Sequence, residues 1–356
     1  MTQRIEQIKQ WLSQKYQADI DRFEPASSDA SFRRYFRVSF QNSVFEQPPQ
    51  QLFIVMDAPP DKEALTPFID IDRQIELVGV NVPHIYTINR DASFILMSDL
   101  GNIPYLSMLC TDSGDDWAEK LYSDAMSALL VMQRGIQRDS FVAMDTQLQD
   151  YSSALLRQEM QLLPDWYAKV HCQQELSTAD EAVLEQAMKH LIDSALEQPQ
   201  VFVHRDYHSR NLMYVKEHNP GVIDFQDALL GPITYDLVSL LRDSYIAWPE
   251  EQVYDWVEQY REMLLRENLL TENDRTKFIR WFDWMGIQRQ LKVVGIFSRL
   301  NYRDGKDNYL NDIPQTLEYL FNVASRYPEF DELLKLIKRW GQTLDLPESI
   351  SLHIPL

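Results

Sequence analysis

Val201-Phe202-Val203-His204-Arg205-Asp206-Tyr207-His208-Ser209-Arg210-Asn211-Leu212-Met213-Tyr214-Val215-Lys216-Glu217-His218-Asn219-Pro220-Gly221-Val222-Ile223-Asp224-Phe225-Gln226-Asp227 is the stretch that decides the fold. An apolar run, Val201 to Val203, passes directly into His204-Arg205-Asp206. Asn211 follows Asp206 after four intervening residues. Two further runs, Leu212 to Val215 and Val222-Ile223, flank an Asn219-Pro220-Gly221 turn, which predicts a β-hairpin. The open ends of an antiparallel hairpin lie side by side. Asn211 and Asp224 are therefore expected to meet across it, with Asp206 just upstream of the same end. Two carboxylates and an amide suit a hard divalent cation. Magnesium takes oxygen ligands, few of them from protein, and shares the rest with phosphates.

The spacing H-R-D-x-x-x-x-N followed by D-F is that of phosphoryl-transfer sites. It assigns Asp206 as the catalytic base and Asn211 with Asp224 as ligands of Mg2+. Asp and Asn are also ordinary turn formers, so the joint spacing between apolar runs carries the reading rather than any one residue. His204 to Leu212, Val222 to Asp227 and Leu230-Gly231-Pro232-Ile233-Thr234-Tyr235-Asp236-Leu237 together resemble the aminoglycoside phosphotransferase and choline kinase group. That resemblance implies a protein-kinase-like fold, ATP as phosphoryl donor, the same roles for Asp206, Asn211 and Asp224, and Asp236 as a brace near the catalytic loop. Gln226 stands where protein kinases have glycine, which points to the small-molecule branch.

The whole chain is compatible with this. Its 356 residues and 45% hydrophobic content allow two lobes sharing a cleft. A formal charge of −20 argues against nucleic acid or an anionic membrane surface as partner. Two cysteines, Cys110 and Cys172, make neither a disulfide framework nor a zinc site. The start, Met1 to Gln7, lacks an apolar signal core, and no apolar run is long enough to span a bilayer. A cytoplasmic location is expected, with no obligate protein partner evident.

Before the catalytic stretch, Ile5 to Tyr16 has the apolar spacing of a packing helix. Ser27 to Val38 leads small polar residues into an alternating run with Arg33, Arg34 and Arg37, where a kinase-like fold places its phosphate-covering turn. The glycines of such turns are absent, but arginine brings fixed charge and a bidentate fork. Arg33 and Arg34 are therefore candidate nucleotide contacts. Leu52 to Asp57 reads as a buried strand. The resemblance implies a nucleotide-binding lysine near its end, and Met56 stands there instead; an arginine of the upstream hairpin is the expected substitute, with Lys62 a further candidate. The arginine hairpin and Met56-Asp57-Ala58-Pro59-Pro60-Asp61-Lys62-Glu63 are similar to the branch of bacterial kinases that phosphorylate the anomeric hydroxyl of N-acetylmuramate and N-acetylglucosamine in peptidoglycan recycling. Met97-Ser98-Asp99-Leu100-Gly101 falls where such folds pass between lobes. Met97 and Asp99 are accordingly candidate adenine-side contacts.

The expected fold class is α+β. It pairs a small antiparallel-sheet lobe over residues 1–98 with a larger, mainly helical lobe over 99–356. A helix is expected over Asp61–Val78, broken near Pro67. Strands are expected at 81–86 and 94–97. Further helices are expected at Trp117–Gln133, Tyr151–Tyr167, Asp180–Leu196, Glu250–Leu265, Asn273–Phe297 and Pro314–Trp340, with a polar loop at Asn301–Asp307. His208 and Asp227, close to the catalytic residues, are candidate substrate contacts. Trp281 to Met285 with Gln288-Arg289 suits either sugar stacking or a helical core stripe. Two other functions fit the same motifs: transfer to another alcohol (an aminoglycoside, choline or homoserine), or a nucleotide-binding pseudokinase, which Met56 favours and the Asp206, Asn211 and Asp224 set opposes.

Overall fold

The structure, a computed structural model, describes residues 2–27, 32–45, 51–111, 114–271 and 273–341. Helix α1 (Thr2–Tyr16) precedes strands β1 (Ile20–Ser27), β2 (Arg34–Phe40) and β3 (Phe53–Asp57). After helix α2 (Leu65–Leu77) come β4 (Ile85–Asn89) and β5 (Phe94–Ser98). The five strands form one antiparallel sheet in the order β1-β2-β3-β5-β4. Side chains alternate across a strand, and here the two sets enter different cores. Val38, Phe53, Val55 and Leu96 pack with Ile8 and Leu12 of α1. Met56, Ile95 and Met97 join α2 and the helical part on the opposite face.

The sheet is followed by a larger helical part. It opens with α3 (Tyr105–Leu109), α4 (Gly114–Gly135), α5 (Ser153–Met160), a wide π-helical segment at Leu163–His171, and α6 (Thr178–Leu196). Four short strands come next: β6 (Gln200–Val203), β7 (Leu212–Met213), β8 (Gly221–Val222) and β9 (Leu229–Pro232). Strand β6 pairs with β9 and β7 with β8, both antiparallel. Helices α7 (Tyr235–Leu241), α8 (Glu250–Arg266), α9 (Arg275–Asp304), α10 (Ile313–Ala324) and α11 (Asp331–Gly341) complete the described chain. The α+β arrangement expected from the sequence is the one found. Among the described residues no helix is long and apolar enough to cross a membrane.

Helix α9 is the axis of the helical part. Trp281, Phe282, Trp284 and Met285 are all buried in the core, so the aromatic stripe is packing and not a sugar platform. Gly295 brings α9 against the π-helical segment: a Cβ there would lie 2.4 Å from the Leu162 carbonyl carbon.

Four expected boundaries are corrected. Helix α2 starts at Leu65 and runs through Pro67, because a first-turn residue has no intrahelical use for its N–H. The Tyr151–Tyr167 helix is instead α5 followed by the wider turns of the π-helical segment. Helix α9 extends through Asn301–Asp304 and ends at Gly305, with φ +67°, the left-handed exit that glycine permits. The helix expected over Pro314–Trp340 is two, α10 and α11, interrupted before Pro328. Leu229–Pro232, unassigned from sequence, is strand β9.

Candidate active site

The predicted hairpin forms, shorter than expected: Leu212 faces Val222 and Met213 faces Gly221. The pairing continues one step as Ile223 N–H donates to Asn211 O at 3.1 Å. This brings Asn211 and Asp224 together. Asn211 Nδ2 donates to the Asp206 carbonyl at 3.0 Å and to Asp224 Oδ2 at 3.2 Å. With its amide N–H groups so engaged, Asn211 keeps its carbonyl oxygen as the atom available to a cation. Gln226 Nε2 donates to Asp224 Oδ1 at 2.8 Å.

Two buried groups hold the loop in this shape. Asp236, at the start of α7, accepts the backbone N–H of His204 at 2.6 Å and of Arg205 at 3.0 Å. This is the brace that the resemblance implied. His204 has Nε2 3.1 Å from Ile223 O, and its Nδ1 accepts from Asp206 N–H at 3.3 Å. Those partners select the neutral Nε2–H tautomer, and burial, outweighing the Asp206 charge, pushes the His204 pKa down to about 4. The loop is strained where it matters: Arg205 has φ +77° and Asp224 φ +68°, a region that costs a non-glycine residue stabilisation gained elsewhere.

Burial opposes ionisation of Asp206. The nearby charges of Lys292 and Arg205, with the imidazoles of His208 and His204 beside them, outweigh it and hold its pKa below the usual carboxylate value. Asp206 is thus an anion at neutral pH, able to accept a proton. Its charge environment rests on Glu159 of α5. Glu159 pairs with Arg205, accepts from the Tyr151 hydroxyl, and lies 3.1 Å from Lys292 Nζ. Lys292 also donates to Tyr235 Oη at 2.8 Å.

Two cavities meet at this loop. One, of about 410 Å³, lies between sheet and helices and is lined by Arg37, Ile54, Met97, Asp99, Asn211 and Asp224 among others. The other, of about 360 Å³, opens on the helical side and includes Asp206, His208, Tyr245, Arg289 and Lys292. Arg210, Asn211 and Asp224 line both. Each volume is in the range of small-molecule sites.

The candidate residues distribute unevenly over these cavities. Met97 and Asp99 line the first, as does the whole segment to Gly101, which bends with φ +92°. His208 lines the second. Asp227 lines neither; it is exposed on the turn closed by Ala228 N–H to Phe225 O at 3.1 Å, and its expected substrate contact is corrected on that ground. Arg34 is also corrected. It faces Asp57 across the β2–β3 pair and shares that buried carboxylate with Arg4 of α1, on the sheet face away from the cavity. Arg33 falls on the other alternation, with Tyr35 and Arg37, and pairs with Glu63 at 2.8 Å. Tyr35 and Arg37 line the first cavity and Arg33 does not. The phosphate-covering turn expected at Ser28 to Ser31 lies outside the described residues. Met56 is fully buried, and Lys62 is exposed.

Sequence reasoning passed over Arg37, Glu159, Tyr235 and Lys292. Arg37 is one alternation beyond the residues it favoured, and binds Asp99 at 2.5 Å and Gly101 O at 3.1 Å. Glu159 and Lys292 had no motif around them; a charged residue flanked by apolar helical positions was the available signal.

The profile of the phosphotransferase enzyme family matches residues 22–271. An N-acetylmuramate/N-acetylglucosamine kinase of Pseudomonas putida is 39% identical over 344 residues, covering 94% of this chain and 96% of that one. A protein of the same name from Pseudomonas aeruginosa is 42% identical over 313 residues, covering 88% and 87%. Among solved structures, the AMP-bound spectinomycin phosphotransferase APH(9)-Ia superposes with a TM-score of 0.60 at 11% identity, covering 89% of this chain and 98% of that one. The choline kinase LicA of Streptococcus pneumoniae gives 0.58 at 11%, with the same coverage. With a loop that pairs an ionised Asp206 with Asn211 and Asp224, and relatives matched over nearly its whole length, this chain belongs to the phosphotransferase enzyme family.

Proposed function

We propose that the chain is an ATP-dependent sugar kinase that phosphorylates the anomeric hydroxyl of N-acetylmuramate and N-acetylglucosamine, in the cytoplasm and in the service of cell-wall recycling. The observation that carries this is the shared wall: Asn211 and Asp224 stand between a cavity suited to a nucleotide and a cavity that holds Asp206. The names borne by the relatives at 39% and 42% identity supply the substrate. In this reading, residues 1–98 cover the nucleotide and residues 99–356 supply the chemistry. Adenine sits against the Met97–Asp99 backbone, opposite Ile54. Arg33, paired with Glu63, supplies the cation that Met56 does not.

Asn211 and Asp224 would hold Mg2+. Their donor set fits: two oxygens from protein, hard and close together, with phosphates left to fill the remainder. Bound there, the ion would neutralise charge on the phosphates being separated. Asp206 orients the acceptor hydroxyl and takes its proton as the new O–P bond forms and the bond from the γ-phosphorus to the ADP oxygen breaks. His204 and Asp236 keep the loop in register for this, and Lys292 with Arg205 keeps Asp206 ionised. Catalysis is then mostly positioning and charge neutralisation.

The test is acceptor-dependent ADP release over a panel containing both amino sugars, choline and an aminoglycoside, followed by a reducing-end assay on the product. Turnover with the amino sugars and loss of the reducing end is the expected result. Turnover confined to choline or the aminoglycoside, or a product that still reduces, refutes the reading.

A further inference from the structure

The helical-side cavity contains more positive charge than the transfer reaction uses. Arg205, His208, Arg210, Arg289 and Lys292 line it, against the carboxylates of Asp206 and Asp224. Most of these cations are accounted for. Arg205 and Lys292 are answered by Glu159. Arg210 lies on the face of Tyr245 at 3.5 Å. Burial lowers the His208 pKa, against the pull of Asp243 and Asp206, so this imidazole stays neutral.

Arg289 is the exception. It is 5% exposed, and among the described residues it makes no ion pair or hydrogen bond; its buried Nη1 has no acceptor. Asp236 on α7 is within electrostatic reach of Arg289, but its oxygens accept the His204 and Arg205 N–H groups and it gives Arg289 neither a hydrogen bond nor a contact ion pair. A guanidinium stays charged at any working pH, and burying it without a counter-ion is costly. Two other buried polar atoms of the same wall, His208 Nδ1 and Ser244 Oγ, also have no partner. A set of orphaned polar atoms around one unanswered charge describes a site shaped for a ligand. Arg289 lines the Asp206 cavity and not the nucleotide cavity, so the missing anion belongs to the acceptor.

We infer that Arg289 is the specificity-determining residue of the acceptor pocket and binds a carboxylate on the sugar. The inference rests on the amino-sugar kinase reading above. Of the two acceptors named there, N-acetylmuramate bears a carboxylate on its ether side chain and N-acetylglucosamine has a hydroxyl in its place. The planar fork of arginine matches a carboxylate with two parallel hydrogen bonds, and a site built to bond a group discriminates against the analogue without it. The same charge repels choline and aminoglycosides, which are cations.

The experiment compares kcat/KM for N-acetylmuramate, its uncharged carboxamide analogue and N-acetylglucosamine, in the wild type, Arg289→Gln and Arg289→Lys. The wild type is expected to prefer the acid over its carboxamide by about 10–100-fold. Arg289→Gln is expected to erase most of that ratio, and Arg289→Lys to restore part of it. If the wild type turns over both sugars but treats acid and carboxamide alike, the inference is overturned and the kinase reading stands. The inference also falls if Arg289→Gln slows all three acceptors by one common factor, since Arg289 would then act on the transferred phosphoryl group or on the fold. If the wild type turns over none of them, the kinase reading itself is overturned. The acid-against-carboxamide comparison needs only the wild type, so it remains decisive even where a variant fails to fold.

Discussion

Replacing Asp72 by asparagine should stabilise the protein, and increasingly so as pH rises. Asp72 lies on α2 one turn beyond Phe68, is 1% exposed, and has no hydrogen-bond partner for either carboxylate oxygen among the described residues. Burial, reinforced by Glu76 and opposed by Arg73, lifts its pKa from 3.8 to about 8. The folded protein therefore keeps a proton that the unfolded chain gives up at lower pH. The folded pKa is the raised one, so the stability linked to this proton is full at low pH and is lost as pH climbs through about 8. Relative to a side chain that never ionises, the cost is ~2 kcal/mol near pH 5 and ~6 kcal/mol near pH 9. Asparagine has the same shape and no charge, so the advantage of Asp72→Asn grows by ~4 kcal/mol between those two conditions. Urea unfolding at both pH values measures this as a midpoint shift at unchanged slope. An equal effect at both pH values would refute the reasoning, as would a variant less stable than the wild type near pH 9.

Arg33→Met removes the partner of Glu63 and, in the proposed reading, the cation over the phosphates; KM for ATP should rise by roughly tenfold or more, and an unchanged KM for ATP rejects that role. Gly295→Ala forces a methyl to within 2.4 Å of the Leu162 carbonyl carbon; backbone cannot yield cheaply, so thermal unfolding should report a loss of about 1–3 kcal/mol or more. Asp283→Asn removes the carboxylate 2.9 Å from the buried Arg242 Nη1 and leaves that guanidinium only the more distant Glu250 carboxylate at 3.6 Å, which should cost ~3 kcal/mol in a denaturant titration.

What could be read in the sequence was local and periodic. The hairpin that joins Asn211 to Asp224 was legible because its register follows from two apolar runs and one turn. The α+β order followed from strand-like alternation giving way to helical spacing from Asp115 onwards. The misreadings have equally physical sources. Pro67 looked like a break because composition does not tell a first turn from a helix interior. Arg33 and Arg34 are neighbours in sequence and lie on opposite faces of the sheet, so naming both as nucleotide contacts ignored the period of two. Asp227 was judged by distance along the chain, and a single turn carries it into solvent. Arg289 was singled out only as a neighbour of the Trp281 to Met285 stripe, and Glu159 and Lys292, from α5 and α9, not at all. Only the packing of those helices brings them to the catalytic loop, and no spacing within one segment reports that.

In the proposed reaction Asp206, held ionised beside Asn211 and Asp224, accepts the proton of the attacking hydroxyl. The direct measurement is turnover and ATP affinity of Asp206→Asn with N-acetylmuramate or N-acetylglucosamine as acceptor. The expected result is a fall in kcat of about 10²–10⁴-fold with ATP binding within a few-fold of the wild type. An Asp206→Asn enzyme that keeps its full kcat contradicts the account.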